Sequence, residues 1–169
     1  MSSLISLASD LAPFESPASV AARKARMADV PKLLSLINGY AAKGIMLPRT
    51  EFEMSENIRD FTAVCCGNEL VACGALHFYS PNTAEIRSVA VRDGMKGRGV
   101  GKLLADALET EAREFGLETI FAFTYVPGFF HKLGYLEVDR GELPLKAWKD
   151  CLRCPKFQCC DEIAMVKKL

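Results

Sequence analysis

A run of glycines and cations, with a carboxylate just upstream, is the part of this sequence best able to do chemistry. Residues 85–104 read Glu-Ile-Arg-Ser-Val-Ala-Val-Arg-Asp-Gly-Met-Lys-Gly-Arg-Gly-Val-Gly-Lys-Leu-Leu. Val89, Ala90 and Val91 make the short apolar run of a buried strand. The spacing of Val100, Leu103, Leu104, Ala107, Leu108 and Phe115 predicts a helix directly after the glycines. Gly94, Gly97, Gly99 and Gly101 let the backbone turn between the two and approach a ligand without Cβ atoms in the way. The last glycines therefore stand at a helix N-terminus, where free N–H groups and the helix dipole attract an anion. Lys96, Arg98 and Lys102 add positive charge. The stretch is predicted to hold a pyrophosphate; the plainer alternative is a glycine-rich turn with a solvated basic face.

Spacing narrows the choice of pyrophosphate. A P-loop needs glycine where Lys96 stands and Ser or Thr where Leu103 stands. The dinucleotide fingerprint needs a small residue at Leu104. What remains is Lys96-x-x-Gly99-x-Gly101 after a strand reading Glu-x-x-x-Val-Ala-Val. This resembles the acyl-CoA loop of the GNAT acetyltransferase superfamily, with Lys96 keeping a charge where the family pattern has Arg or Gln.

The elements around this stretch follow from pattern. Residues 1–18, rich in Ser, Ala and Pro, read as a flexible N-terminal tail, and residues 19–169 as one domain. Residues 22–26 read as an edge strand. Asp29 and Pro31 open a helix whose Val30, Leu33, Leu34, Ile37 and Tyr40 share a face, with Gly44 at its end. Thr50 and Glu53 form a capping box for a second helix reaching Arg59. Strands over 61–66 and 70–79 join at Gly67-Asn68, a hairpin signal, and a third runs from Ala84 to Val91. After the long helix come a strand over 119–124, a short helix over 129–133 introduced by Pro127-Gly128, and strands over 135–138 and 161–166. The fold class is mixed α/β: one central sheet flanked by helices, with no internal repeat.

Composition excludes several classes. At 169 residues the chain suits a single core, and half of it is hydrophobic. Lys plus Arg and Asp plus Glu are both 21, which argues against bulk nucleic-acid binding. No apolar run approaches the roughly 20 residues that span a bilayer. Residues 1–17 lack a basic start and carry Asp10 and Glu15, so they do not read as a signal peptide. Seven cysteines without an export signal are expected to be reduced thiols in a cytoplasmic protein.

The resemblance covers about residues 20–168, because the order of elements and Phe129-Phe130-His131-Lys132-Leu133-Gly134-Tyr135 both match the superfamily. It implies a mostly antiparallel sheet and acetyl-CoA as acetyl donor. Gly44-Ile45 with Arg49, the 85–91 strand and Phe123-Thr124 look like the amino-acid acetyltransferases of arginine biosynthesis, the N-acetylglutamate synthases, in short form. That likeness implies transfer of acetyl to the α-amine of an amino acid, L-glutamate first, by direct attack in a ternary complex. Pantetheine would lie along Val89, Ala90 and Val91, and the pyrophosphate on Lys96, Gly97, Arg98, Gly99, Val100, Gly101 and Lys102. Glu85 would be the general base; read as an ordinary strand residue, it would instead be exposed and paired with Arg87. A strand's period of two puts Glu85 and Arg87 on one face unless a bulge intervenes. A dicarboxylate acceptor needs cations, for which Arg87 and Arg49 are the candidates, with Ser88 beside them. A surface role for Arg49 is equally open, and Arg59 and Lys43 are possible substitutes.

Where many relatives carry a tyrosine that protonates the leaving thiolate, this sequence has Phe130, which has no proton to give. Thr124, Tyr125 or a water must serve; Thr124 is the residue assigned. His131 reads as a surface residue and His77 as a structural one. Cys151-Leu152-Arg153-Cys154 with Cys159-Cys160 suggests zinc ligation, a redox pair or packed thiols, and packed thiols are the reading preferred, with no metal assigned. Rival functions are acetylation of another small amine or a protein N-terminus, and a non-catalytic acetyl-CoA sensor. Neither nucleic acid nor membrane is an expected partner; a homodimer is the default.

Overall fold

The computed structural model describes residues 19–143 and 151–169. The expected tail over 1–18 lies outside them. Seven strands form one sheet in the order β1-β2-β3-β4-β5-β7-β6: β1 (Val20–Lys24), β2 (Phe61–Cys66), β3 (Glu69–Ser80), β4 (Thr83–Val91), β5 (Thr119–Thr124), β6 (Leu136–Val138) and β7 (Ile163–Lys168). Every neighbouring pair is antiparallel except β4 and β5, which run parallel. That exception follows from the connection: α3 (Val100–Glu114) carries the chain back to the start of the sheet before β5 begins.

α3 buries Val100, Leu104, Ala105, Leu108 and Ala112, and packs with Ile86, Leu76 and Ile120 on one face of the sheet. On the other face α1 (Val30–Ala41) buries Val30, Leu33 and Ile37 against Ala63, Cys73, Ala75 and Ala90, joined by Met54 of α2 (Glu51–Glu56). Each fully buried Leu or Ile of this kind contributes about 1.5–3 kcal/mol. The chain is thus a sandwich of helix, sheet and helix, and β4 is its centre.

Sequence expectations and structure differ at element ends, for local reasons. β1 stops at Lys24 because Asp29 draws the chain away: its carboxylate accepts from the Arg26 N–H at 2.8 Å and from Arg23 at 2.7 and 2.9 Å. The expected helix from Thr50 to Arg59 is interrupted at Asn57, whose side chain donates to the Glu53 carbonyl at 2.8 Å; a 3₁₀ turn, Ile58–Asp60, follows. Before that break, the capping box is present as read from sequence. β7 begins at Ile163 because the Glu162 carbonyl accepts from Arg140 instead of joining the ladder. Phe115, expected on the apolar face of α3, caps its C-terminus and is 63% exposed, stacked on Phe78 at 5.0 Å. Glu109 of α3 is buried instead, its carboxylate reaching Lys167 of β7 at 2.7 Å.

Candidate active site

The glycine loop ends where the sequence predicts. Gly99 is the N-cap of α3 with φ 79°, a conformation an L-residue reaches only with strain. The first turn of α3 leaves backbone N–H groups pointing out of the helix. Gly101 is needed for space: a Cβ there would meet Phe129 of α4 (Pro127–Lys132) at 3.1 Å. The loop's cations are held in place. Lys96 donates to Asp93 at 2.9 Å and lies 5.0 Å from the Tyr40 ring, while Lys43 of the opposite layer reaches Asp93 at 3.3 Å. Lys96 and Lys43 hold the Asp93 carboxyl below its ordinary range. Tyr40 also donates its hydroxyl to the Val91 carbonyl, so α1 pins the last residue of β4. Lys102 pairs with Asp106 at 2.6 Å, and Arg98 lies against Met95 Sδ at 3.5 Å.

β4 carries the second feature. Its parallel ladder with β5 matches Thr83, Ala84 and Glu85 to Thr119, Ile120 and Phe121, and no later pair is formed among the described residues. β4 runs on to Val91 while β5 stays with β7, so the two strands part beyond Glu85. Along the same stretch β4 is bulged: Cys73 faces Ala90, but Ala75 faces Arg87. Ser88 has φ 55°, the one non-glycine residue with positive φ among those described. The extra residue inverts the side-chain alternation. Before it Ala84 and Ile86 face α3; after it Val89 and Val91 do, and Ala90 faces α1. The buried Cys73 thiol, pushed up to about 12 by burial, donates to the Ser88 carbonyl at 3.9 Å and fixes the bulge from below. The parted strand offers an extended ligand a free edge, the geometry of strand addition.

Glu85 and Arg87 both precede the bulge and share the face opposite α3. Glu85 is not an exposed strand residue: it is 7% exposed and accepts from the Tyr79 hydroxyl at 2.9 Å. The floor around it is aromatic, with His77, Tyr79, Phe121 and Phe123 each within 5.2–6.2 Å of the next. His77 lies opposite Glu85 in register, but its Nδ1 is engaged by Asp60 at 2.6 Å, in keeping with a structural role. Arg49, on the loop after α1, has its backbone clamped by Asn38, which donates to its carbonyl at 3.0 Å and accepts from its N–H at 2.9 Å. His131 is a surface residue bonded to Glu137 at 3.0 Å.

The comparisons with known proteins agree with this geometry. A profile described as the Acetyltransferase (GNAT) family matches residues 35–135. The chain belongs to the GNAT acetyltransferase family. It is 42% identical over 147 residues to an uncharacterized N-acetyltransferase of Chlorobaculum tepidum, covering 87% of this chain and 95% of that one. It is 34% identical over 120 residues to an amino-acid acetyltransferase of Mycobacterium tuberculosis, covering 69% of this chain and 68% of that protein. Among solved structures, a Mycobacterium tuberculosis protein in complex with CoA superposes with a TM-score of 0.76 at 27% identity, covering 88% of this chain and 99% of that one. N-acetylglutamate synthase from Neisseria gonorrhoeae, complexed with coenzyme A and N-acetyl-glutamate, superposes with a TM-score of 0.82 at 25% identity. The match covers 91% of this chain and 36% of that longer synthase.

For an acetyltransferase, the departing thiolate needs attention. Phe130 is buried at 4% exposure, edge-on to Phe129 and Tyr135. Thr124, at the end of β5, is buried, and its hydroxyl oxygen accepts from the Val126 N–H at 2.9 Å, which leaves the hydroxyl proton to donate. Tyr125 is half-buried and accepts from Lys156 at 3.3 Å. The seven cysteines are free thiols, and among the described residues no group of three or more His, Cys, Asp or Glu is disposed to hold a metal. No described helix is long and apolar enough to cross a membrane. Sequence reasoning missed Tyr79 and Tyr40. Tyr40 was readable only as a core residue, and Tyr79's relation to Glu85 depends on a hairpin register that two irregularities shift.

Proposed function

We propose that this acetyltransferase moves the acetyl group of acetyl-CoA to the α-amine of an amino acid, L-glutamate first, by direct attack. The observation that carries the reading is Glu85: a buried carboxylate on the last residue of β4 still paired with β5, sharing its sheet face with Arg87. Pantetheine fits the parted edge after Glu85, with its amides bonding β4 near Val89, Ala90 and Val91, and the pyrophosphate fits the 96–102 loop. The incoming amine is mostly protonated near neutral pH, so a base must act first. Glu85 takes that proton, directly or through a water. The nitrogen lone pair then adds to the thioester carbon, and a β4 backbone N–H near the bulge donates to the oxyanion. Collapse breaks the C–S bond, and the second proton of the nitrogen passes to the thiolate through the Thr124 hydroxyl or solvent, which leaves Thr124 neutral.

Arg87 and Arg49 are the candidates for the acceptor's carboxylates, with Ser88 at the bulge between the donor and acceptor halves. Likeness to amino-acid acetyltransferases supports an amino-acid acceptor. The test is free-thiol release from acetyl-CoA across the twenty amino acids. Turnover with glutamate well above the rest is expected; equal rates with all, or none with any, would overturn the assignment.

A further inference from the structure

The chain over 151–160 takes no part in the chemistry above, yet it is fastened across the acceptor side of the sheet at three places. Arg153 donates to Glu53 Oε1 on α2 at 2.7 Å. Lys156 donates to the Gly44 carbonyl after α1 at 3.2 Å and to the Tyr125 hydroxyl beyond β5 at 3.3 Å. At the far end Arg140, stacked over Phe123 of the aromatic floor, donates to Cys160 Sγ at 2.8 Å and to the Glu162 carbonyl at 2.7 Å. Glu53 belongs to α2, whose Met54 packs with Ala63 of β2 and Ala75 of β3, whereas Arg140 lies over Phe123 of β5, so the anchors flank β4. Cys151 sits beneath them: burial first, then the charges of Cys160, Glu162 and Glu85, push its thiol up to about 11.

The Glu53 anchor is prepared before Arg153 arrives. Its Oε2 already accepts from the Thr50 N–H at 3.0 Å in the capping box, so Oε1 is held outward at no further cost in side-chain freedom. The fastenings themselves are weak singly. The Arg153 side chain is 55% exposed, and an exposed ion pair is readily exchanged for water. A segment held this way can leave and return during each turnover, which a covalent tie would prevent.

We infer that residues 151–160 form a strap over the acceptor end, and that Arg153 and Lys156, through Glu53 and the Gly44 carbonyl, set how large an acceptor can be. The inference rests on the amino-acid reading above: a free amino acid lets the strap close, whereas one extended through its carboxylate into a peptide holds it open. Closure excludes water from the amine and carboxylate contacts and strengthens them.

The test compares wild type with the Arg153→Ala, Lys156→Ala double variant on glutamate and on glutamyl-alanine. Acetyl-CoA affinity by calorimetry serves as the folding control. The double variant is expected to raise KM for glutamate roughly tenfold, leave acetyl-CoA affinity unchanged, and narrow the preference for glutamate over the dipeptide. An unchanged KM and preference would overturn the role of the strap in setting acceptor size. Glu53→Gln, which keeps a capping residue but removes the charge, gives the same reading if the double variant does not fold. Hydrogen exchange over 151–160 is read independently of activity. Faster exchange in the variant upholds the strap even if neither acceptor turns over, in which case the amino-acid reading alone fails; equal exchange overturns the strap.

Discussion

The buried Glu85 carboxylate is held by a residue on another strand. Tyr79 sits diagonally across the β3–β4 hairpin and donates to its carboxylate, fixing the direction from which a proton can be received. If Glu85 is the base, Glu85→Gln should lower turnover about 10²–10⁴-fold with little effect on acetyl-CoA binding, measured by steady-state kinetics beside calorimetry. Undiminished turnover would remove Glu85 from the mechanism. Tyr79→Phe keeps the ring on the aromatic floor and deletes one charge-assisted bond. It should cost about tenfold in kcat, equivalent to about 1.4 kcal/mol, and leave the melting temperature nearly unchanged. The motif made Glu85 legible from sequence. Tyr79 was not, because its relation to Glu85 exists only after β3 and β4 have paired in one particular register.

At the scale of elements, the junction of β4 and α3 depends on two glycines for different reasons. Gly99 supplies a left-handed N-cap, and Gly101 clears Phe129. Gly99→Leu should abolish the calorimetric signal of acetyl-CoA binding while circular dichroism shows α3 retained; wild-type affinity would displace the pyrophosphate from this loop. α2 carries the second element-level prediction. Arg153 first, then the Thr50 N–H, hold the Glu53 carboxyl down at about 2, against an ordinary 4.5. A depressed folded-state value means that the stabilisation is complete above pH 4.5 and is lost as the pH falls toward 2. Melting temperatures across that window should fall less steeply for Glu53→Gln than for wild type, and parallel curves would mean that Glu53 contributes nothing through its charge. The capping box was readable in Thr50 and Glu53; its use by Arg153, 100 residues away, was not.

For the molecule as a whole, the two faces of the sheet are tied differently. Around α1 the core closes by apolar contact, with the buried Glu85 carboxylate bonded by Tyr79 on the same side of the sheet, whereas α3 itself carries a charge into the core. Glu109 is 5% exposed and accepts from Lys167 at 2.7 Å, and Lys167 also donates to the Leu133 carbonyl at 2.7 Å. α3, β7 and the turn after α4 therefore meet at one ammonium. Removing one partner strands the other, so Glu109→Ala should destabilise the fold by about 3 kcal/mol in denaturant titration. Glu109→Ala with Lys167→Met should recover most of that loss, because no stranded charge is left. A loss of under roughly 1 kcal/mol for the single variant would mean that the pair is effectively solvated.

Much of this architecture is written locally. The apolar run of Val89, Ala90 and Val91, the helical spacing after Gly99, the Thr50 capping box and the Gly67-Asn68 turn each involve residues within a few positions of one another, so those elements and the β4–loop–α3 unit are legible in the chain alone. Family resemblance carries the acetyltransferase class for the same reason, since its motif lies within one continuous stretch. Three things were decided only by tertiary structure. The parting of β4 from β5 depends on which strand β7 joins. The bulge at Ser88 depends on how β3 and β4 register. The burial of Glu85 depends on Tyr79 and Phe121 arriving from two other strands. Each is a contact between residues far apart in the chain, whose free energy is realised only after the loops between them have closed.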